Sequence, residues 1–408
     1  MSIEESTPPI ATASRRAWLA VLSVAVGSFT LVTNEFLPVG LLSDVAADLH
    51  VSEATAGTMI TAPGIIAAVS ALALPVLFQR IDRRAALLGL SLTFVLADVL
   101  AGLAPNFPVL LAARALLGIG IGGFWAIAVG VGTRLVPQQL GQQATSLIFG
   151  GISIGTVVGV PAGPLLGNQF GWRAAFLIVA ALGLLPVILQ AIFLPRLAVA
   201  KAVTLRSFGA LLSSSRARVA LLMTLLTITA QFAAYTFVAP FLQQRTGASP
   251  TLISALLLVF AAAGILGNFA AAPALARALR PTVLCVLAVL ALSQLLMPVF
   301  GTWTAGAFIV IAVWGLAYGA VPVALQTWLF HADPRAANEN GSGMFVAIFQ
   351  SSIAIGSLIG AVMVDASGTR AAMYAGAVLA TAALALTAFV ANNAGAQTPV
   401  RQHQSDQL

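Results

Sequence analysis

The sequence predicts an all-α membrane protein with twelve transmembrane helices, arranged as two parallel copies of one six-helix unit. Three observations carry that prediction. Of 408 residues, 60% are hydrophobic and 8% charged, with a mean hydropathy of +1.00. A domain facing water carries roughly 25% charged residues. The apolar residues gather into runs of about 20, the length that crosses a bilayer core. Residues of the first half also recur in the second at one constant separation, from Arg80 and Arg277 to Arg173 and Arg370.

The chain opens with a polar tail, residues 1–16, ending in Arg15-Arg16. Spans are expected near 17–42, 53–78, 85–104, 108–133, 140–166 and 173–194, a first bundle over 17–194. The first apolar run is too long for a signal-peptide core and lacks a clear cleavage site, so it reads as an uncleaved span. A longer break, 195–217, holds Arg196, Lys201, Arg206 and Arg216 and divides the halves. Spans near 218–242, 251–276, 282–300, 304–330, 340–364 and 370–391 make a second bundle over 218–391, before a tail at 392–408. Short gaps force neighbouring spans antiparallel. With both termini cytoplasmic, 15 of the 19 Lys and Arg fall on the cytoplasmic side. Arg173, Arg245 and Arg370 then fall outside and Arg114 within a span, as the positive-inside rule prefers.

The repeat pairs Arg80 with Arg277, Arg83 with Arg280, Gly118 with Gly315, Gly122 with Gly319 and Pro137 with Pro334. It continues through Gly159 and Gly356, Gly163 and Gly360, Gly171 and Gly368, and Arg173 and Arg370. Parallel six-span repeats with a site between them near mid-membrane are a transporter architecture.

Other function classes find little support. The net charge of +7 is spread over breaks between apolar runs rather than gathered on one face, so no nucleic-acid partner is expected. His50, His331 and His403 are scattered, and Cys285 is alone, so neither a metal site nor an internal disulfide is expected. No nucleophile–base pair shares one depth, so the chain is not expected to be an enzyme or to hold a cofactor.

Ionisable residues within spans cost roughly 2.5–3.5 kcal/mol on insertion scales and are functional candidates by default. Glu35, Asp98 and Arg114 all lie about 10 Å below the outer surface at ~1.5 Å per residue. Equal depth allows a carboxylate–guanidinium cluster on spans one, three and four, suited to loading and releasing protons. The repeat mates of these charges are Phe232, Leu295 and Ile311, and the second half offers neutral Gln231, Asn268, Gln294, Gln326 and Gln350 instead. Gln231 is the repeat mate of Asn34. A division of labour follows, with proton coupling in the first half and hydrogen bonds to a substrate in the second. Candidate substrate residues are Asn34, Phe124, Trp125, Gln231, Tyr235, Trp314, Tyr318 and Gln326, a mix of flat aromatic faces and amides that suits a small organic solute. Trp303 reads as an interfacial anchor.

Three further stretches carry a family resemblance. The loop after the second span reads Phe78-Gln79-Arg80-Ile81-Asp82-Arg83-Arg84, and the fourth span carries Arg114, Leu117, Gly118 and Gly120. The fifth carries Gly150, then Gly159, Gly163, Pro164, Gly167 and Asn168. Together these resemble the major facilitator superfamily, in its twelve-span proton-coupled drug and metabolite efflux branch. Of the loop motif only Asp82 and Arg83 carry over, since the family's glycines are Phe78 and Ala85 here. The fifth span matches the family's antiporter signature except at its last glycine, which is Asn168. The stretch Thr33-Asn34-Glu35-Phe36-Leu37-Pro38-Val39-Gly40 is similar to sugar- and chloramphenicol-efflux proteins. Gly122-Gly123-Phe124-Trp125, followed by Arg134-Leu135-Val136-Pro137, is most similar to purine ribonucleoside efflux pumps.

The resemblance implies proton-coupled efflux by alternating access from a bacterial-type cytoplasmic membrane, with protons and a small solute as partners, in a monomer. It implies a proton-transfer role for Arg114 and gating roles for Asp82 and Arg83. Gly150, Gly159 and Gly163 are expected to pack closely, with Pro164 bending the helix end. Purine ribonucleosides are the expected solute; sugars, amphenicols or passive transport are the alternatives.

Overall fold

The computed structural model describes residues 13–198, 212–333 and 339–395. The central break predicted over 195–217 and the tails therefore lie largely outside the described residues. The first half comprises α1 (Arg15–Phe36), α2 (Glu53–Leu77), α3 (Arg83–Gly102), α4 (Phe107–Arg134), α5 (Gly141–Phe170) and α6 (Trp172–Phe193). The second comprises α7 (Ser215–Tyr235), α8 (Pro250–Arg277), α9 (Leu279–Phe300), α10 (Thr304–Ala332), α11 (Glu339–Ser367) and α12 (Thr369–Gly395). Eleven are long and apolar enough to span a membrane, and α5, bent by 41° between Gly159 and Pro161, completes twelve.

One detail differs from the sequence expectation. The first span was expected to run to 42, but α1 ends at Phe36 because Pro38 has no N–H to continue it. A 3-10 turn, Leu37–Gly40, leads into a short helix, Leu42–Asp48. The bend in α5 lies between Gly159 and Pro161, where Pro161 and Pro164 each withhold an N–H from the ladder, Pro164 from the carbonyl at the break itself. Pro164 also packs against α1's extension, and a Cβ on Gly40 would meet its ring and lie 3.1 Å from its nitrogen.

The repeat holds in three dimensions. Ser52 caps α2 through Thr55 N at 3.0 Å, and its mate Ser249 caps α8 through Leu252 N at 3.3 Å. Gly171 and Gly368 open α6 and α12 at φ of 81° and 83°, where an L-side chain would be strained. A Cβ on Gly118 would lie 2.5 Å from Pro63 O, and one on Gly315 would lie 2.9 Å from Phe260 Cα. Phe260 is the repeat mate of Pro63, so α2 meets α4 as α8 meets α10. Packing follows the same correspondence throughout, with α1 against α5 and α6 matched by α7 against α11 and α12.

The halves meet along two repeat-related seams, α2 with α11 and α5 with α8. We call the end of the bundle far from both chain termini distal and the other end proximal. Distally the halves share one apolar core, in which Leu37, Leu41 and Leu42 join Phe237, Phe241 and Leu242. The proximal core of the first half, including Val21, Phe94, Phe124 and Ile148, contains no second-half residue among those described. The structure is therefore closed distally.

Candidate functional site

The three charges within spans converge in the distal part of the first half. Arg114 is 1% exposed, and its Nε and Nη1 donate to Met59 O at 3.1 Å and Asn34 O at 3.2 Å. The Phe176 ring lies 6.0 Å from the guanidinium carbon. Glu35 and Asp98 both fall within electrostatic reach of Arg114, yet neither closes a contact ion pair with it. Asp98 is 1% exposed and its two oxygens have no hydrogen-bond partner. The Asn34 side chain faces it within polar contact but short of full hydrogen-bond geometry. Burying a polar group unpaired costs roughly 1–3 kcal/mol, more for a charge, so this cluster is expensive to maintain.

Glu35 differs from Asp98 in its setting. It is half-buried at the junction, and Gln350 of α11 donates to its Oε1 at 3.2 Å. Tyr318 of α10 also lies within its electrostatic reach. One carboxylate thus touches both halves, while the other is enclosed in the first.

Beside Glu35 stands a group of aromatic rings from four helices. Phe36 stacks on Phe232 at 6.1 Å and meets Tyr235 edge-on at 6.3 Å. Tyr235 stacks on Phe260 at 4.7 Å and meets Trp314 edge-on at 6.1 Å, and Phe260 stacks on Tyr318 at 6.0 Å. Trp314 Nε1 donates to Gln231 Oε1 at 2.8 Å, whereas Gln231 Nε2 and the Tyr235 hydroxyl are buried without partners. Tyr318 and Gln326 keep exposed surface, whereas Asn34, Gln231, Tyr235 and Trp314 are buried.

Phe124 and Trp125 lie apart from that group. Phe124 is fully buried, 5.8 Å from Phe94, and a Cβ on Gly27 would come within 2.8 Å of its ring. It is packed core in this conformation, not the cavity wall that the sequence suggests. Trp125 is half-buried and stacks on Phe149 of α5 at 6.2 Å.

The proximal loop motif engages the start of the central break. Asp82 caps α3 through Arg84 N at 3.0 Å, and its Oδ2 accepts from Leu197 N at 2.7 Å. Arg83 N donates to Leu197 O at 2.9 Å.

On α5 the close-packed row differs by one residue from expectation. Nothing lies within 4 Å of a Cβ placed on Gly150, so it does not pack against a neighbour. Gly151, Gly155, Gly159, Gly163 and Gly167 form the row instead, meeting Ala25, Phe29, Thr33, Leu37 and Leu41 of α1 and its extension in turn. A Cβ would lie 2.7 Å from Phe29 O at Gly155, 2.6 Å from Thr33 Cα at Gly159 and 2.6 Å from Leu37 O at Gly163. The four-residue spacing back from Gly159 was the signal for Gly151 and Gly155. Phe36, Phe260 and Gln350 were also missed as site residues. Phe36 could have been found as the neighbour of Glu35, but Gln350 meets it only through the crossing of the halves.

Comparison with known proteins supports this architecture. The family model for the Major Facilitator Superfamily matches residues 24–345 and 220–406. Transcription regulatory protein OpdE of Pseudomonas aeruginosa is 35% identical over 381 residues, 92% of this chain and 94% of that protein. Purine ribonucleoside efflux pump NepI of Escherichia coli O6:H1 is 32% identical over 378 residues, 92% of this chain and 95% of that one. Among solved structures, a bacterial homologue of the human lysosomal transporter Spinster superposes with a TM-score of 0.71 at 17% identity, covering 94% of this chain and 96% of that one. With twelve spans in two matched halves and both levels of similarity running almost end to end, this chain belongs to the major facilitator superfamily and is a membrane transporter.

Proposed function

We propose that this transporter exports a small, flat, uncharged solute in exchange for protons, and that purine ribonucleosides and their analogues are its substrates. The observation that carries the reading is the Glu35–Gln350 hydrogen bond, which ties a carboxylate of the first half to the second half beside an aromatic wall. The similarity to NepI over most of the chain supports the substrate class.

The distribution of Lys and Arg supports a cytoplasmic proximal end, with the closed distal end facing outward. A carboxyl group that alternates between water and a desolvated junction changes its proton affinity as it moves. In the cycle, Glu35 takes a proton when the distal end opens and gives it up to the cytoplasm when the proximal end opens. Arg114 remains charged throughout and serves as fixed countercharge to Glu35 and Asp98. A purine base finds faces in Phe36 and Tyr318, with Trp125 and Phe149 further along the proximal path. Such ring contacts are worth about 0.5–1.5 kcal/mol beyond area burial. Gln326 offers a donor and an acceptor to ribose and ring nitrogens, and the unpaired Nε2 of Gln231 becomes a further donor where the wall opens.

Inverted membrane vesicles with an acidic lumen test both parts. Added inosine or guanosine should accumulate and discharge lumenal protons, and Glu35→Gln should abolish both while the protein remains folded in the membrane. Accumulation that is indifferent to an uncoupler would make the protein a passive facilitator. Counterflow with sugars or amphenicols but not nucleosides would reassign the substrate.

A further inference from the structure

In an α-helix the carbonyl of residue i is taken by the N–H of residue i+4, and proline has no N–H to offer. Met59 stands four residues before Pro63, inside α2. Asn34 stands four residues before Pro38, in the 3-10 turn that ends α1. These are the two carbonyls that accept from Arg114, at 3.1 and 3.2 Å.

A buried backbone carbonyl without a partner is costly, most of all within a membrane, so each proline leaves an acceptor in search of a donor. Arg114 meets two of them with one rigid fork. The carboxylates do not hold it, since no contact ion pair forms with Glu35 or Asp98 and its Nη2 is unbonded.

We propose that Pro38 and Pro63 are positioning residues of the charge cluster: by withholding two backbone N–H groups, they anchor Arg114 between Glu35 and Asp98 whatever the protonation of either. A guanidinium held by ion pairs would swing away when its carboxylate took up a proton. One held by two carbonyls stays, and its field acts on both carboxyl groups in every step of the cycle. The functional consequence rests on the proton-coupling reading above; the anchoring does not.

The test uses the purified full chain in detergent, labelled with dicyclohexylcarbodiimide across a pH series, with the modified residue located by peptide mass spectrometry. In Pro38→Ala and Pro63→Ala the restored N–H competes for the carbonyl and loosens Arg114, which favours the neutral, reactive form of its neighbours. Glu35 or Asp98 should then label about two-fold or more above wild type at a given pH, the equivalent of a fraction of one hydrogen bond. Pro75→Ala, about 18 Å further along α2, should match wild type. Wild-type labelling in both variants overturns the proposal, as does an equal rise in Pro75→Ala, which would trace the effect to helix stiffness. If neither carboxyl labels in wild type, the same comparison is read from the pH dependence of the melting temperature, displaced in Pro38→Ala and Pro63→Ala only. No substrate is needed, so this test and the vesicle test fail independently.

Discussion

At the scale of single residues, rarity decided what the sequence could reveal. Charges are so scarce within the spans that Glu35, Asp98 and Arg114 stood out, and their common depth followed from counting along helices. Aromatic residues are not scarce, and counting could not separate Phe124, wedged between Gly27 and Phe94, from Tyr318 at the junction. Phe124→Ala should therefore act on stability; the same change in soluble cores costs about 3–5 kcal/mol. The melting temperature in detergent should fall by several degrees while the affinity of the folded fraction for its solute stays the same. Weakened binding at an unchanged melting temperature would return Phe124 to the substrate wall. Outside the spans, the Arg173 hydrogen bond at 2.5 Å holds the Asp48 carboxyl below its usual range. Its stabilising effect is present above the unfolded value and lost as pH falls through the lowered folded one. Both side chains are near half exposed, at 40% and 47%, so the pair is worth at most about 1 kcal/mol. Asp48→Asn, which removes the charge and leaves the other contacts of Arg173 in place, should shift the melting temperature slightly at neutral pH and not at all in strong acid; a large loss at neutral pH would contradict that ranking.

At the scale of helices, the sequence fell short for the opposite reason. Glycine is common, with 36 in the chain, and a signature that includes Gly150 drew attention one residue away from the packed row. The row is set by geometry: α1 and α5 run parallel, so residues four apart on one meet residues four apart on the other. Close backbone approach of this kind requires the smallest side chains. Gly155→Leu should thus block the movement of α5 against α1, abolishing transport while solute binding in detergent survives. Gly150→Leu, facing open space, should transport at close to the wild-type rate. Equal damage from both would mean that α5 tolerates bulk nowhere and that the row has no special part.

At the scale of the molecule, the repeat explains both the symmetry of the seams and where the symmetry fails. Two halves with the same internal packing meet through α2 with α11 and α5 with α8, so rocking one half on the other exchanges closure between the ends. The charges break that symmetry, because Glu35, Asp98 and Arg114 have no counterparts in the second half. The shared distal core keeps the present state closed, together with hydrogen bonds across the junction. Glu53 accepts from Gln244 at 2.8 Å, Gln244 is steadied within its own half by accepting from Thr369 at 3.3 Å, and Ser357 donates to Gly57 O at 3.1 Å in the buried part of the α2–α11 seam. An exposed hydrogen bond competes with water and weighs little, whereas a buried one contributes about 0.5–1.5 kcal/mol. Ser357→Ala should therefore favour the distally open state about five-fold, and Gln244→Ala by much less. A reporter cysteine at Thr61, which lies between Gly57 and Gly64 on the same face of α2, reads the difference. In a Cys285→Ala background, its labelling by an impermeant maleimide from the distal side should accelerate in that order. Faster labelling in Gln244→Ala than in Ser357→Ala would shift control of the closed state from the buried seam to the exposed rim.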